Sequence, residues 1–235
     1  MPAGIALEDV TKVYVAGATN VVALDGASCR ISAGKFTAIV GPSGSGKTTL
    51  LNLIGGIDEP TSGRVIVGDR DIWGLSDDDL SRFRRTEIGF VFQFFNLLSG
   101  LTAEENVALP LLLDGHSMKG CFERARALLE MVGLEDRRGH LPDQLSGGES
   151  QRVAIARALA ADPPNILADE PTGNLDTTAS EQVLGLLRRT VDELNRTLIV
   201  VTHNDSVAAL ADEVITLSDG VLTTRAGSSG SLKPA

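Results

Sequence analysis

The chain has 235 residues, 43% hydrophobic and 22% charged, enough apolar material to bury one core-bearing domain. Its net charge of −10 argues against a nucleic-acid backbone or an anionic lipid surface as the main partner. No apolar run approaches the ~18 residues of a membrane-spanning helix, no secretion signal is expected from MPAGIALEDV, and Cys29 and Cys121 lack metal-ligand spacing and read as reduced, buried thiols.

In chain order, GIALEDVTKVYV alternates apolar and polar residues and predicts a strand, ASCRI a second, and GKFTAIV a short buried third. The third runs into GPSGSGKTTLLNLIGG, a glycine-rich turn that opens a helix. SGRVIVGDRDI reads as a hairpin strand. SDDDLSRFRR reads as a helix with Ser76 at its start, Asp77 to Asp79 in the first turn and arginines at its end, an order that complements the helix dipole. From about residue 94 to residue 160 helical signals take over: Thr102 and Glu105 make a capping box, and KGCFERARALLEMVG has helical apolar spacing. A second capping box, Ser146 with Glu149, precedes Val153, Ile155, Ala156 and Leu159. After residue 164 come a strand in NILADE, a helix in DTTASEQVLGLLRRTVDELN, a strand in RTLIVVTH and a hairpin in DEVITLSDGVLTT turning at Asp219 and Gly220. Residues 226–235 are Gly/Ser-rich and expected to be disordered. The expected fold is α/β, one domain over residues 1–225, with a mostly parallel sheet, an antiparallel β portion and an inserted helical block.

Chemistry concentrates at a few of these junctions. Gly41, Pro42, Ser43, Gly44, Ser45, Gly46, Lys47 and Thr48, with Thr49 behind them, match G-x-x-x-x-G-K-[ST] between a buried strand and a helix. Backbone N–H groups of such a loop close round a β-phosphate, Lys47 reaches the β- and γ-phosphates, and the Thr48 hydroxyl ligates Mg²⁺. A P-loop needs a carboxylate at the end of a neighbouring strand, which Asp169 supplies, and Glu170 beside it can polarise an attacking water. Gln93 and His203 also stand at strand ends, either in the ligand crevice or as satisfied polar residues there. Two uses are open to Tyr14: stacking on adenine, or packing on the sheet. Phe90, Phe92, Phe94 and Phe95 crowd the segment round Gln93; they are core, or Phe94, Phe95, Leu97 and Leu98 line a groove for a partner's helix. Finally, Gly147 and Gly148 lie in the first turn of a helix, where each glycine costs about 1 kcal/mol relative to alanine. The cap explains Ser146 and Glu149 but not these glycines. Bare backbone N–H groups at a helix start suit a phosphate.

GPSGSGKT, Gln93, LSGGE at 145–149, ILADE at 166–170, NLD at 174–176 and His203 occur together in an order and spacing that resemble the ATP-binding subunit of an ABC transporter. The resemblance covers the chain apart from about its last ten residues. IGFVFQFFNLL and DEPTGNLD look most like a branch serving lipoprotein release, macrolide and antimicrobial-peptide export, and cell division. Ser150 departs from the Gln or Arg more usual there, which bears on the subgroup and not on ATP binding. The resemblance implies a P-loop NTPase core with an antiparallel β subdomain and an inserted α-helical subdomain, hydrolysing ATP with Mg²⁺. It implies that Lys47 and the loop amides hold phosphates, that Thr48, Gln93 and Asp169 serve Mg²⁺, that Glu170 is the general base, that His203 contacts the γ-phosphate, and that Tyr14 stacks on adenine. Two subunits would meet head to tail round two ATP molecules. Ser146, Gly147 and Gly148 would touch the ATP of the other subunit, with Asp176 coupling the sites. A membrane permease would be the partner, placing the chain at the cytoplasmic face of the membrane with no direct nucleic-acid contact. The implied role is export or extraction of lipoprotein, drug or peptide; the alternative is control of cell-wall remodelling or division without transport.

Overall fold

The computed structural model describes residues 3–17 and 19–225, so the predicted disordered tail lies outside the described residues. Two sheets organise the chain. An antiparallel sheet has the order β2-β1-β4-β5, from β1 (Ile5–Ala16), β2 (Thr19–Ile31), β4 (Ser62–Val67) and the short β5 (Arg70–Asp71). The second has the order β10-β9-β3-β8-β7-β6, from β3 (Phe36–Val40), β6 (Ile88–Val91), β7 (Asn165–Asp169), β8 (Thr197–Thr202), β9 (Glu213–Ser218) and β10 (Val221–Arg225). Its strands run parallel except the β9–β10 hairpin. That hairpin turns at Asp219 and Gly220, both at positive φ, the geometry whose twist matches paired strands.

The first two strands differ from the sequence expectation. β2 reaches back to Thr19, well before ASCRI, because its outer half is a two-stranded extension with Val21 and Val22 on the surface and no apolar face to betray it. β1 loses its alternation at Asp9, where φ is 53° and the register shifts against both neighbours.

The helices are α1 (Lys47–Ile54), α2 (Asp77–Thr86), α3 (Ala103–Leu113), α4 (Met118–Met131), α5 (Gly147–Ala158), α6 (Thr177–Asp192) and the single turn α7 (Asp205–Ala208). Predicted caps form: Ser76 accepts from Asp79 N–H, and Thr102–Glu105 and Ser146–Glu149 make reciprocal capping boxes.

The parallel sheet divides the core in two. Along β8, Leu198 and Val200 face α6 and the helical block, while Ile199 and Val201 face α1 and the antiparallel sheet. α3, α4 and α5, inserted between β6 and β7, therefore share one continuous apolar core with α6 and one sheet face. Cys29 and Cys121 are free and buried, as expected, and burial pushes the Cys29 thiol up to about 12. Among the described residues no helix is long and apolar enough to cross a membrane.

Candidate functional site

Parallel strands end on one side, so β3, β8, β7 and β6 deliver Gly41, His203, Glu170 and the Phe92–Gln93 segment to the same edge in that spatial order. The phosphate-loop residues turn directly from β3 into α1. Gly46 is the N-cap at φ 99°, and a Cβ there would collide with the Ala23 carbonyl of β2. Lys47 is only 8% exposed, and its Nζ donates to the carbonyls of Gly41 and Pro42, both at 2.9 Å, so the ammonium already points into the loop. Ser45 Oγ is buried inside the same turn with no hydrogen-bond partner among the described residues. Ser43, Gly44 and Thr48 are exposed, and Thr49 lies one step along α1. An orphaned buried hydroxyl beside an ammonium and a helix N-terminus fits a phosphate group.

Thr48 Oγ1 donates to Asp169 Oδ1 at 3.3 Å, joining the loop to the end of β7. Burial, opposed by the Thr48 hydrogen bond and seconded by the Glu170 charge, raises the Asp169 carboxyl. A carboxylate whose charge is disfavoured gains most from a cation, so the hydroxyl–carboxylate pair suits a magnesium ion. Glu170 follows with φ 43°, a strained value for a non-glycine residue. That turn is pinned by Glu170 N–H to the Val201 carbonyl at 3.0 Å and by Gly173 N–H to the Glu170 carbonyl at 2.9 Å. The carboxylate accepts from Thr202 Oγ1 at 3.2 Å through one oxygen and meets His203 Nδ1 at 2.7 Å through the other. The His203 ring is otherwise exposed, the Glu170 side chain largely buried.

Gln93 is placed differently from Thr48 and Asp169. Its carbonyl accepts from Asn174 Nδ2 at 3.1 Å, and its side-chain amide packs over Gly173. Among the described residues no hydrogen bond joins the Gln93 side chain to Thr48, Asp169 or Glu170. Tyr14, on β1, reaches Thr49 and Asp58 through its hydroxyl.

Ser146, Gly147, Gly148 and Asp176 come together elsewhere. They line a cleft of about 390 Å³ between the N-termini of α5 and α6, with Arg152 and Gln182 at its side. Asp176 caps α6 by accepting from Ala179 N–H at 2.8 Å. The two glycines separate here. A Cβ on Gly148 would stand 2.8 Å from the Ala179 Cβ, so close packing of α5 on α6 requires that glycine. A Cβ on Gly147 would meet nothing nearer than Leu175 at 3.4 Å, an ordinary contact. The fold of the single chain explains Gly148 and leaves Gly147 unexplained.

Two further residues were missed by sequence reasoning. Gln151 is fully buried on α5 and donates to the Pro171 carbonyl at 2.8 Å and the Phe92 carbonyl at 3.4 Å, bracing the segments that carry Glu170 and Gln93. A polar residue one turn before Ile155 on a buried helical face is its only sequence signal. Arg157, also on α5, donates to the Phe95 and Asn96 carbonyls at 2.7 and 2.5 Å, clamping two consecutive positive-φ residues. The phenylalanines are not all core. A groove of about 330 Å³ is lined by Phe90 and Phe92, stacked 5.4 Å apart, with Leu109, Pro110 and Leu113 from α3. Phe94, Phe95, Leu97 and Leu98 are not among the residues that line it, Phe94 is 72% exposed, and Leu97 packs against the core.

Residues 24–173 match the family described as ABC transporter. An uncharacterised ABC transporter ATP-binding protein of Thermotoga maritima is 50% identical over 214 residues, 91% of each chain. The macrolide export ATP-binding/permease protein of Hyphomonas neptunium is 47% identical over 96% of this chain but only 35% of its own length. Among solved structures, the ATP-binding cassette MJ0796 of Methanocaldococcus jannaschii, a dimer in a post-hydrolysis state bound to ADP and Pi, superposes with a TM-score of 0.88 at 45% identity, covering 94% of this chain and 98% of that one. The protein cbiO1 of Clostridium perfringens, part of the ABC transporter complex cbiONQ, superposes with a TM-score of 0.83 at 28% identity, over 95% of this chain and 88% of its own.

Proposed function

Because the chain belongs to the ABC transporter family and is an ATPase of that family, we propose that two copies close head to tail round two ATP molecules and drive a membrane permease. The observation that carries this reading is the meeting of two polar pairs at one sheet edge: Thr48 with Asp169, and Glu170 with His203. The first pair reads as the metal side of the site and the second as its water side.

In the proposed cycle Lys47 exchanges the Gly41 and Pro42 carbonyls for phosphate oxygens, and the Ser45 hydroxyl gains the partner it lacks. Thr48, Asp169 and Gln93 would hold magnesium, which offsets phosphate charge when bound. Glu170, held by Thr202 and His203, takes the proton of the attacking water. His203, largely exposed, turns its free edge to the γ-phosphate of ATP. Tyr14 stacks on the adenine.

Gly147 supports the dimer. The chain already has one lysine-bearing phosphate loop, so a second, lysine-free helix start with an otherwise unexplained glycine suits the ATP of a second subunit. Loss of the γ-phosphate then removes contacts from both subunits and lets them part. Relatives named for macrolide export support an export role over a regulatory one, with a permease anchoring the chain at the cytoplasmic face.

The test is E170Q. This variant should bind ATP with near wild-type affinity, lose turnover by about a hundredfold or more, and elute as a dimer in ATP. Turnover at the wild-type rate removes Glu170 from the base role, and an ATP-loaded monomer removes the dimer.

A further inference from the structure

Tyr14 is the chain's single tyrosine, set near the end of β1 opposite Val21 of β2. A partly exposed tyrosine at such a place ordinarily samples several rotamers. This one is tied at its tip and over a face. Its hydroxyl donates to Asp58 Oδ2 at 2.6 Å and lies 3.4 Å from Thr49 Oγ1. The second Asp58 oxygen accepts from Lys12 Nζ at 2.6 Å, and the same ammonium donates to the Glu59 carbonyl at 2.6 Å. Lys12 Nζ stands 4.9 Å from the centroid of the Tyr14 ring. Partial burial and the Asp58 bond raise the phenol. Partial burial of Asp58 is outweighed by its bonds from Lys12 and Tyr14, which hold its carboxyl below the usual range. Near neutral pH the tyrosine is thus a proton donor and Asp58 an anion, the states that the clamp needs.

The anchors share an origin. Thr49 belongs to α1 directly behind the phosphate loop, and Asp58 follows the end of the same helix, its N–H donating to the Asn52 carbonyl at 3.3 Å. The ring is therefore set relative to the loop by the helix that the loop opens.

We propose that Lys12 and Asp58 are positioning residues for the nucleotide base: a charge-compensated pair that holds Tyr14 at a preset reach from the phosphate loop. This deepens the reading of Tyr14 as the adenine platform and rests on it. With an ammonium over one face, stacking falls to the other, and a cation behind an aromatic ring draws density away from it and favours an electron-rich purine in front. A ring ordered in advance also spares the base the cost of ordering it.

Calorimetric binding to the isolated chain decides the matter, with ADP as one probe and inorganic tripolyphosphate, which has no base, as the other. Y14A should raise the ADP Kd about tenfold. Y14F, which loses only the hydroxyl, and D58N, which keeps the shape but not the charge, should each raise it about three- to fivefold. Tripolyphosphate binding should stay at the wild-type value in all three. If Y14A weakens ADP while Y14F and D58N bind like the wild type, the clamp is overturned and the adenine platform stands. If Y14A binds ADP like the wild type, the platform fails and the clamp with it. Parallel weakening of tripolyphosphate would also overturn the clamp, since Asp58 would then act on the phosphate loop itself. Should D58N unfold, Y14F alone decides, because it leaves the Lys12–Asp58 pair intact.

Discussion

Gly147 and Gly148 are neighbours in one helical turn, yet a methyl group would meet different surroundings at each. At Gly148 it would press on Ala179 at 2.8 Å and push α5 away from α6. G148A should therefore destabilise the chain by about 1–3 kcal/mol, seen as a lower urea midpoint. At Gly147 it would find room beside Leu175 and Phe95 and would remove the helix cost of a glycine, so G147A should unfold at or slightly above the wild-type midpoint and bind ATP as a monomer. If the cleft takes the ATP of a second subunit, as proposed, hydrolysis should be lost, because the added carbon would crowd a phosphate that has to approach the helix N–H groups. Equal midpoints for the two variants would undo the packing account of Gly148, and a hydrolysing G147A would leave Gly147 with only a local role.

At the scale of elements, α5 ties the site together. Its start carries the capping box, its middle sends Gln151 to the Pro171 and Phe92 carbonyls, and its end sends Arg157 to the turn after Gln93. Anything that weakens the start of α5 should loosen the rest. The Ser146 N–H, followed by the Arg137 guanidinium at 3.0 Å, holds the Glu149 carboxyl down at about 2, against an ordinary value of 4.5. A carboxylate held lower in the folded chain than in the unfolded one adds stability that is present above the unfolded value and lost as pH falls through the folded one. E149Q keeps the hydrogen-bonding shape and removes the charge. It should cost about 0.5–1 kcal/mol near neutral pH, the discount reflecting a partly exposed pair. That difference should fade between about pH 4.5 and pH 2 in urea titrations of the two proteins. A constant gap across that range would show that the charge contributes nothing.

For the molecule as a whole, legibility follows the range over which each feature is determined. The capping boxes, the phosphate loop and the hairpin at Asp219 and Gly220 could be read because each is decided within a few residues. The buried strand NILADE could be read because both its faces are covered, which demands a continuous apolar run. The outer half of β2 could not, since neither face is buried there. Gln151 and Arg157 escaped notice because their partners are carbonyls far along the chain, which any residue can supply. Gly147 is the opposite case. The sequence marks it, and the chain by itself gives it no purpose.

A purpose outside the chain has a consequence that only mixed assemblies can reveal. If each ATP lies between the phosphate loop of one subunit and the glycine cleft of the other, K47A spoils the loop and G147A spoils the cleft, and either homodimer has two broken sites. In a mixed dimer the two lesions meet in one site, and the second site pairs the sound loop of the G147A subunit with the sound cleft of the K47A subunit. Equal amounts combine at random into about half mixed dimers, each with one of two sites restored, so the mixture should recover up to about a quarter of wild-type ATP hydrolysis. The measurement is steady-state phosphate release across a series of mixing ratios, with a maximum at equal amounts. If the cleft instead served the phosphate loop of its own chain, the G147A subunit would lack a working cleft in every dimer and the K47A subunit a working loop. The mixture would then stay as inactive as its components at every ratio.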